Sequence, residues 1–145
     1  MSNWIETVLE PRFFEVDSYK IVNNMFYLSW FEMGRFAIAE RVGLLVPRFA
    51  EENLGFVVTR SEVLYKKPVT FGTKIRSQGR IRTVEASRLV FDHRISALRS
   101  SVVYAQGTTE VVCVRDGKLL MRLPDWVQDL IIKFIKDVQG GFPHQ

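Results

Sequence analysis

From Met25 to Val42 the apolar residues go most of the way round a helical projection: Met25, Phe26, Leu28, Trp30, Phe31, Met33, Phe36, Ile38 and Val42. A helix lying on a surface shows one apolar stripe. This one must be wrapped by something. Gly43 supplies its stop. Asn23 or Asn24 caps its start, because an Asn side chain accepts from free N–H groups of the first turn. Ahead of it, residues 6–16 read as a first strand, with Val8, Phe13 and Val16 apolar and Pro11 marking an edge or a kink. Residues 17–23 read as a loop.

The rest of the chain supplies the wrapping. GFVVTRSEVLYKK (55–67), TKIRSQGRIRTV (73–84), SRLVFDHRISAL (87–98) and SVVYAQGTTEVVCVRDGKLL (101–120) read as strands. Short breaks between them give the spacing of antiparallel neighbours, and Asp116-Gly117 is a hairpin turn signal. Residues 125–138 read as a terminal helix with Pro124 ahead of it and Gly140-Gly141 beyond. Residues 140–145 read as a loose tail. One sheet curled round one helix satisfies this order. It is an α+β architecture, the hotdog arrangement, and it predicts one domain over 1–145. Resemblance to the hotdog arrangement, whose members are normally dimers at least, implies a homodimer or homotetramer, and pairing would extend the sheet and hide an edge otherwise exposed.

Composition narrows the picture. The 145 residues suit one domain with a proper core, and a 47% hydrophobic content argues against disorder. No apolar run approaches a membrane span; Glu32, Arg35, Glu40 and Arg41 interrupt the longest. MSNWIETVLEPRF lacks a basic segment followed by an apolar one, so no signal peptide is expected and the expected compartment is the cytosol. Cys113 is the only cysteine, which excludes an intrachain disulfide. The net charge is +4. It suits nucleic acid or a polyanionic small molecule, and does not choose between them.

One carboxylate stands out. Asp17 lies one short loop ahead of the greasy helix. The start of a buried helix offers free N–H groups and the positive end of a dipole. In a dry site such donors stabilise a developing oxyanion, one donor being worth ~3–4 kcal/mol. A carboxylate beside them attacks directly or deprotonates water. From spacing alone, a loop or cap aspartate is the favoured account.

DSYKIVNNMFYLSWFE (17–32) resembles the signature of hotdog acyl thioesterases of the 4-hydroxybenzoyl-CoA thioesterase type. Its Asn-Asn pair is similar to that of plant acyl-carrier-protein thioesterases. VVTRSEVLYKKPVTFGTKI (57–75) resembles the family's second block, a strand ending in Tyr-x-x-Pro before a glycine-containing turn. The resemblance implies that Asp17 is the base or nucleophile and that the Asn24 backbone N–H polarises the carbonyl. The implied substrate is a coenzyme A or acyl-carrier-protein thioester, with coenzyme A as part of the substrate and no metal or other cofactor. Asn23, Tyr27, Thr59, Ser61 and Lys67 are the substrate-binding candidates. Lys20 departs from the family, which has glycine there. It adds a cation near the site and challenges the loop's shape.

Other residues compete for roles. Glu32 is a second-choice base, with a partner arginine as its plain reading. Thr59 and Ser61 share strand parity with Val57 and Val63, which predicts that they point toward the helix. His93 shares parity with Leu89, Phe91 and Ile95 and reads as a core histidine. His93, His144 and Cys113 make no metal set, and there is no GxSxG motif. Lys74, Arg76, Arg80 and Arg82 share one strand face, with Arg88 and Arg94 continuing it. They read as a solvated sheet face first, and as contacts to coenzyme A phosphates or an acidic carrier second; no aromatics interleave as nucleic-acid stacking requires. A non-catalytic acyl-CoA-binding module on the same fold is the alternative to an enzyme. A hydratase fits less, since no histidine precedes residue 93.

Overall fold

The structure, a computed structural model, describes residues 4–17, 19–22 and 24–143. In chain order the elements are β1 (Ile5–Leu9), a 3-10 turn (Phe13–Glu15), α1 (Phe26–Val42), α2 (Pro47–Glu51), β2 (Leu54–Tyr65), β3 (Ile75–Glu85), β4 (Arg88–Ala97), β5 (Val103–Arg115), β6 (Lys118–Leu119) and α3 (Asp125–Asp137). The sheet order is β1-β3-β4-β5-β2 with β6 on β5, and every pairing is antiparallel. The sheet curls round α1, which packs on β1, β2, β3 and β4. This is the expected α+β hotdog arrangement.

Two apolar clusters hold the sheet to the helix. Ile38 and Val42 of α1 meet Ile81, Leu89 and Val111 of the sheet, with Ile131 of α3 against them. Nearer the start of α1, Tyr27, Trp30 and Phe31 meet Val69, Ile75 and Ile95. Burying one such side chain stabilises the fold by ~1.5–3 kcal/mol. Gly43 ends α1 at φ 96°, as the sequence predicts. Asp116 and Gly117, at φ 51° and 75°, make the β5–β6 turn.

Several expectations are corrected. The strand predicted over 6–16 stops at Leu9. Glu15 turns its carboxylate back onto the Arg12 amide and guanidinium, which closes a 3-10 turn instead. Of the two asparagines expected as caps, Asn23 lies outside the described residues, and Met25, not Asn24, holds the cap position, without a side-chain bond. Asn24 contributes its carbonyl, which accepts from the Tyr27 amide at 3.3 Å and the Tyr65 hydroxyl at 3.1 Å. The wrapping of α1 is one-sided in a single chain, since Met25, Leu28, Met33 and Phe36 stay exposed.

The face predicted for Thr59 is also wrong. A β-bulge between Val58 and Arg60 adds a residue to β2 and reverses its alternation. Val58 pairs with core residue Val111, whereas Thr59 turns to the other face and bonds the Glu110 carboxylate at 2.9 Å. Ser61, beyond the bulge, is opposite Thr109 on the helix side.

Candidate functional site

The loop bearing Asp17 is stitched at both ends. Val16 bridges Val22, and the Asp17 amide donates to the Ile21 carbonyl at 2.9 Å. The Lys20 amide donates to the Asp17 carbonyl at 3.0 Å. Lys20 itself sits at φ 63°, the left-handed conformation for which glycine is the easy residue. The loop then docks on residues 69–71: the Val22 amide donates to Val69, the Phe71 amide to Lys20, and Ile21 bridges Thr70.

In one protomer Asp17 is exposed, and Asn24 with it. The Asp17 carboxylate accepts the Tyr19 amide at 2.8 Å, an Asx turn that fixes its rotamer. A single chain therefore does not enclose this carboxylate in a dry crevice.

Beneath the loop lies a buried carboxylate that sequence reasoning passed over. Glu15 is 1% exposed. It accepts from the Arg12 amide at 2.7 Å, the Arg12 guanidinium at 3.0 Å and the Trp30 indole N–H at 3.2 Å. Burial alone would raise its pKa; the Arg12 and Trp30 donors outweigh burial and hold it below the usual carboxylate range. Glu15 thus ties the Asp17 loop to the second turn of α1. The available signal was an acid two residues before Asp17, with a tryptophan among helix residues.

The remaining candidates scatter. Tyr27 is buried, its ring set between Trp30 and Tyr65 at centroid distances of 5.1 Å each. Burial raises its pKa, and its hydroxyl meets the Val69 backbone rather than open space. Lys67 is exposed, and its amide donates to Tyr104 at 3.1 Å. Ser61 is exposed on the helix side of β2. Thr59 faces away. Glu32 is exposed on α1 near Arg35, whose guanidinium donates to Thr109 at 3.1 Å.

His93 is a core residue, as its parity predicts. It is 2% exposed, and its Nε2 lies 3.0 Å from the Thr109 hydroxyl. Burial first, and the Arg35 charge second, lower its pKa to about 3. Cys113 is buried and its thiol pKa is raised by burial, the state of a small apolar residue.

The basic stripe is largely matched on the outer sheet face. Arg80 and Arg82 pair with Asp92, Arg76 with Glu6, and Arg88 with Glu110. Arg80 and Arg94 lie over the Trp4 ring at 4.2 and 4.3 Å. Among the described residues no group of three His, Cys, Asp or Glu gathers as a metal site. No described helix is long and apolar enough to cross a membrane.

An apolar cavity of about 250 Å³ runs beside α1, lined by Phe36, Ile38, Val42, Phe56, Phe91 and Ile131 among others. Its exposed lining residues, Phe36, Leu45 and Val58, mark the open side. Glu32 and Arg35 border it.

Comparison with known proteins agrees with this fold. The chain is similar to the acyl-acyl carrier protein thioesterase ATL3 of Arabidopsis thaliana, 24% identical over 94% of this chain and 72% of that protein. Its fold matches a Thermus thermophilus thioesterase solved with coenzyme A and Zn, TM-score 0.77, 24% identical, covering 96% of each chain. It also matches Slr0204, a 1,4-dihydroxy-2-naphthoyl-CoA thioesterase from Synechocystis, TM-score 0.79, 16% identical, over 88% of this chain and 95% of that one. The family pattern described as Thioesterase-like superfamily matches residues 11–131. The chain belongs to the Thioesterase-like superfamily, and it is an enzyme of the thioester-hydrolase class.

Proposed function

We propose that this protein hydrolyses an acyl-CoA or acyl-carrier-protein thioester to the free acid and the thiol, with Asp17 as base or nucleophile. The observation that carries this reading is the stitched loop: an exposed carboxylate of fixed rotamer, held one short segment before the start of α1. In the general-base route Asp17 takes a proton from water, and the hydroxide adds to the thioester carbonyl. Amides at the start of α1, that of Asn24 foremost, steady the oxyanion. The C–S bond then breaks and the proton passes to the leaving thiolate. In the nucleophilic route the Asp17 carboxylate adds instead, the C–S bond breaks and expels the thiolate, and water cleaves the resulting anhydride to the free acid and the Asp17 carboxylate, its proton passing to the thiolate. Neither route calls on a metal.

The acyl group lies in the apolar cavity beside α1. Glu32, at its border, is eight residues beyond Asn24, about 12 Å along the helix. A homodimer or homotetramer is part of this reading. Strand β2 is the edge that would pair, since its twelve residues end the sheet and Val57, Val58, Leu64 and Tyr65 are exposed on it.

The test is thiol release from acetyl- through palmitoyl-CoA, and from one acyl-carrier-protein thioester, by the parent, Asp17→Asn and Asp17→Ala. Turnover in the parent, lost in both variants, is expected. The bond to the Tyr19 amide leaves the Asp17 carboxylate further acceptor sites for a water. Turnover kept in both variants, or acyl-CoA bound by the parent without turnover, would overturn the role given to Asp17. Single turnover in ¹⁸O-labelled water separates the two routes, because only an anhydride leaves label in the Asp17 carboxylate.

A further inference from the structure

Val22, at the end of the Asp17 loop, packs with Tyr27 and Trp30, and the Phe14 ring stands edge-on to Phe26, but the side chains at 17, 19 and 20 are exposed and pack on nothing that fixes the loop's register. Backbone bonds close it on itself and on residues 69–71. Among the described side-chain bonds, the one that fastens this segment to α1 runs from the Trp30 indole to Glu15. Trp30 is 2% exposed, and fixed by the Tyr27 ring 5.1 Å away. Glu15 accepts at both oxygens, so the carboxylate cannot rotate without losing a donor.

We infer that Glu15 is a positioning residue: its buried carboxylate, clamped between Arg12 and Trp30, sets the register of Asp17 against the start of α1. Glu15 touches no substrate; it acts through Val16, which bridges Val22, and so through the loop that presents Asp17. This rests on the reading of Asp17 given above. Two peptide links separate the clamp from the catalytic group, so slack at Glu15 becomes displacement at Asp17. Displacement of a reacting group by about 1 Å costs on the order of a hundredfold in rate. A purely structural role would instead lower the folded fraction, and leave the folded molecules fully active.

Trp30→Phe removes the clamp's helix end while leaving Glu15 with both Arg12 donors. Glu15→Gln keeps one acceptor oxygen but presents an amino group to the other donors. Glu15→Ala removes both oxygens. The readouts are kcat and KM for octanoyl-CoA below the melting range of every variant, together with amide hydrogen exchange at Asp17, Tyr19 and Lys20. The buried Cys113 does not interfere with a thiol reagent in the folded protein. We expect Trp30→Phe to lower kcat about tenfold or more with KM within about twofold, and to speed exchange at those amides. Glu15→Gln should fall between the parent and Glu15→Ala. A Trp30→Phe variant with parental kcat overturns the inference, as does a rate loss that only tracks the folded fraction. If the parent turns over no thioester in the panel above, the proposed hydrolysis fails separately, and the exchange measurement alone decides: parental exchange in all three variants overturns the clamp, faster exchange supports it.

Discussion

His93 lies flat against Phe31, ring centroids 4.4 Å apart and planes 8° from parallel. The register explains how the sheet admits this stack. On β3 His93 is paired with Gly79, and on β5 with Gly107. A Cβ on Gly107 would come 2.5 Å from the Phe31 ring and 2.5 Å from the Glu62 carbonyl. The second contact is to backbone, which cannot swing aside. Gly107→Ala should therefore destabilise the fold by about 1–3 kcal/mol, read as a lower urea midpoint with an unchanged slope. An unchanged midpoint would show that the stack is not tight.

The same histidine predicts how stability responds to acid. His93 Nε2 shares a hydrogen bond with the Thr109 hydroxyl, which also accepts from the Arg35 guanidinium. Burial keeps the ring neutral, and its Nδ1 has no partner among the described residues. Its folded pKa of about 3 is far below the 6.5 of an exposed histidine. In the unfolded chain the group charges first as pH falls. Its contribution to stability is thus complete above about pH 6.5 and is lost progressively toward pH 3. From pH 7 to 5 the free energy of unfolding should fall by about 2 kcal/mol. In His93→Phe, which keeps the stack and removes the titration, the slope over that interval should flatten. An equal slope in both proteins would assign the acid sensitivity to other groups.

These two residues also show what the sequence could and could not reveal. The parity of Leu89, Phe91, His93 and Ile95 places the histidine inside, because a strand repeats every two residues. The same period locates the long strands, and Gly43 and Asp116-Gly117 mark stops that need positive φ. Parity fails at Thr59, because a bulge inserts one residue with no compositional mark. Helix α2 is too short for a periodicity to register, although Pro47 opens it. The Asp17 loop was found through its resemblance to a family. Its clamp was not, because the bond from Glu15 to Trp30 joins residues fifteen apart that no local rule connects. The open side of α1 is likewise invisible to a pattern that only says the helix is apolar all round.

Lys20 tests how much of the loop's shape depends on one torsion. At φ 63° a lysine is held where its Cβ crowds the backbone, at a cost of about 1–2 kcal/mol. Glycine removes that strain but gives the unfolded chain more freedom, worth about 0.5–1 kcal/mol the other way. Lys20→Gly should therefore shift stability by less than about 1 kcal/mol and keep turnover. Lys20→Val, branched at Cβ, should cost about 1–3 kcal/mol and lower kcat with it, because the amide of residue 20 binds the Asp17 carbonyl. Denaturant midpoints and octanoyl-CoA kinetics on both variants decide it. A valine variant as stable and active as the glycine one would mean that the loop relaxes freely.

Tyr65 offers the complementary test at the helix start. Its hydroxyl donates to the Asn24 carbonyl at 3.1 Å, and its ring stands edge-on to Tyr27. That carbonyl belongs to the peptide that also receives the Tyr27 amide, so the hydroxyl helps orient the first turn of α1. Tyr65→Phe keeps the ring contact and removes only the bond. A neutral hydrogen bond contributes about 0.5–1.5 kcal/mol, and this one is partly exposed, so the melting temperature should move little. If the first-turn amides steady an oxyanion, kcat/KM should fall about three- to tenfold, with most of the loss in kcat. A loss confined to KM would instead place Tyr65 in ground-state binding of the substrate, since an interaction made equally in ground and transition states changes KM and leaves kcat alone.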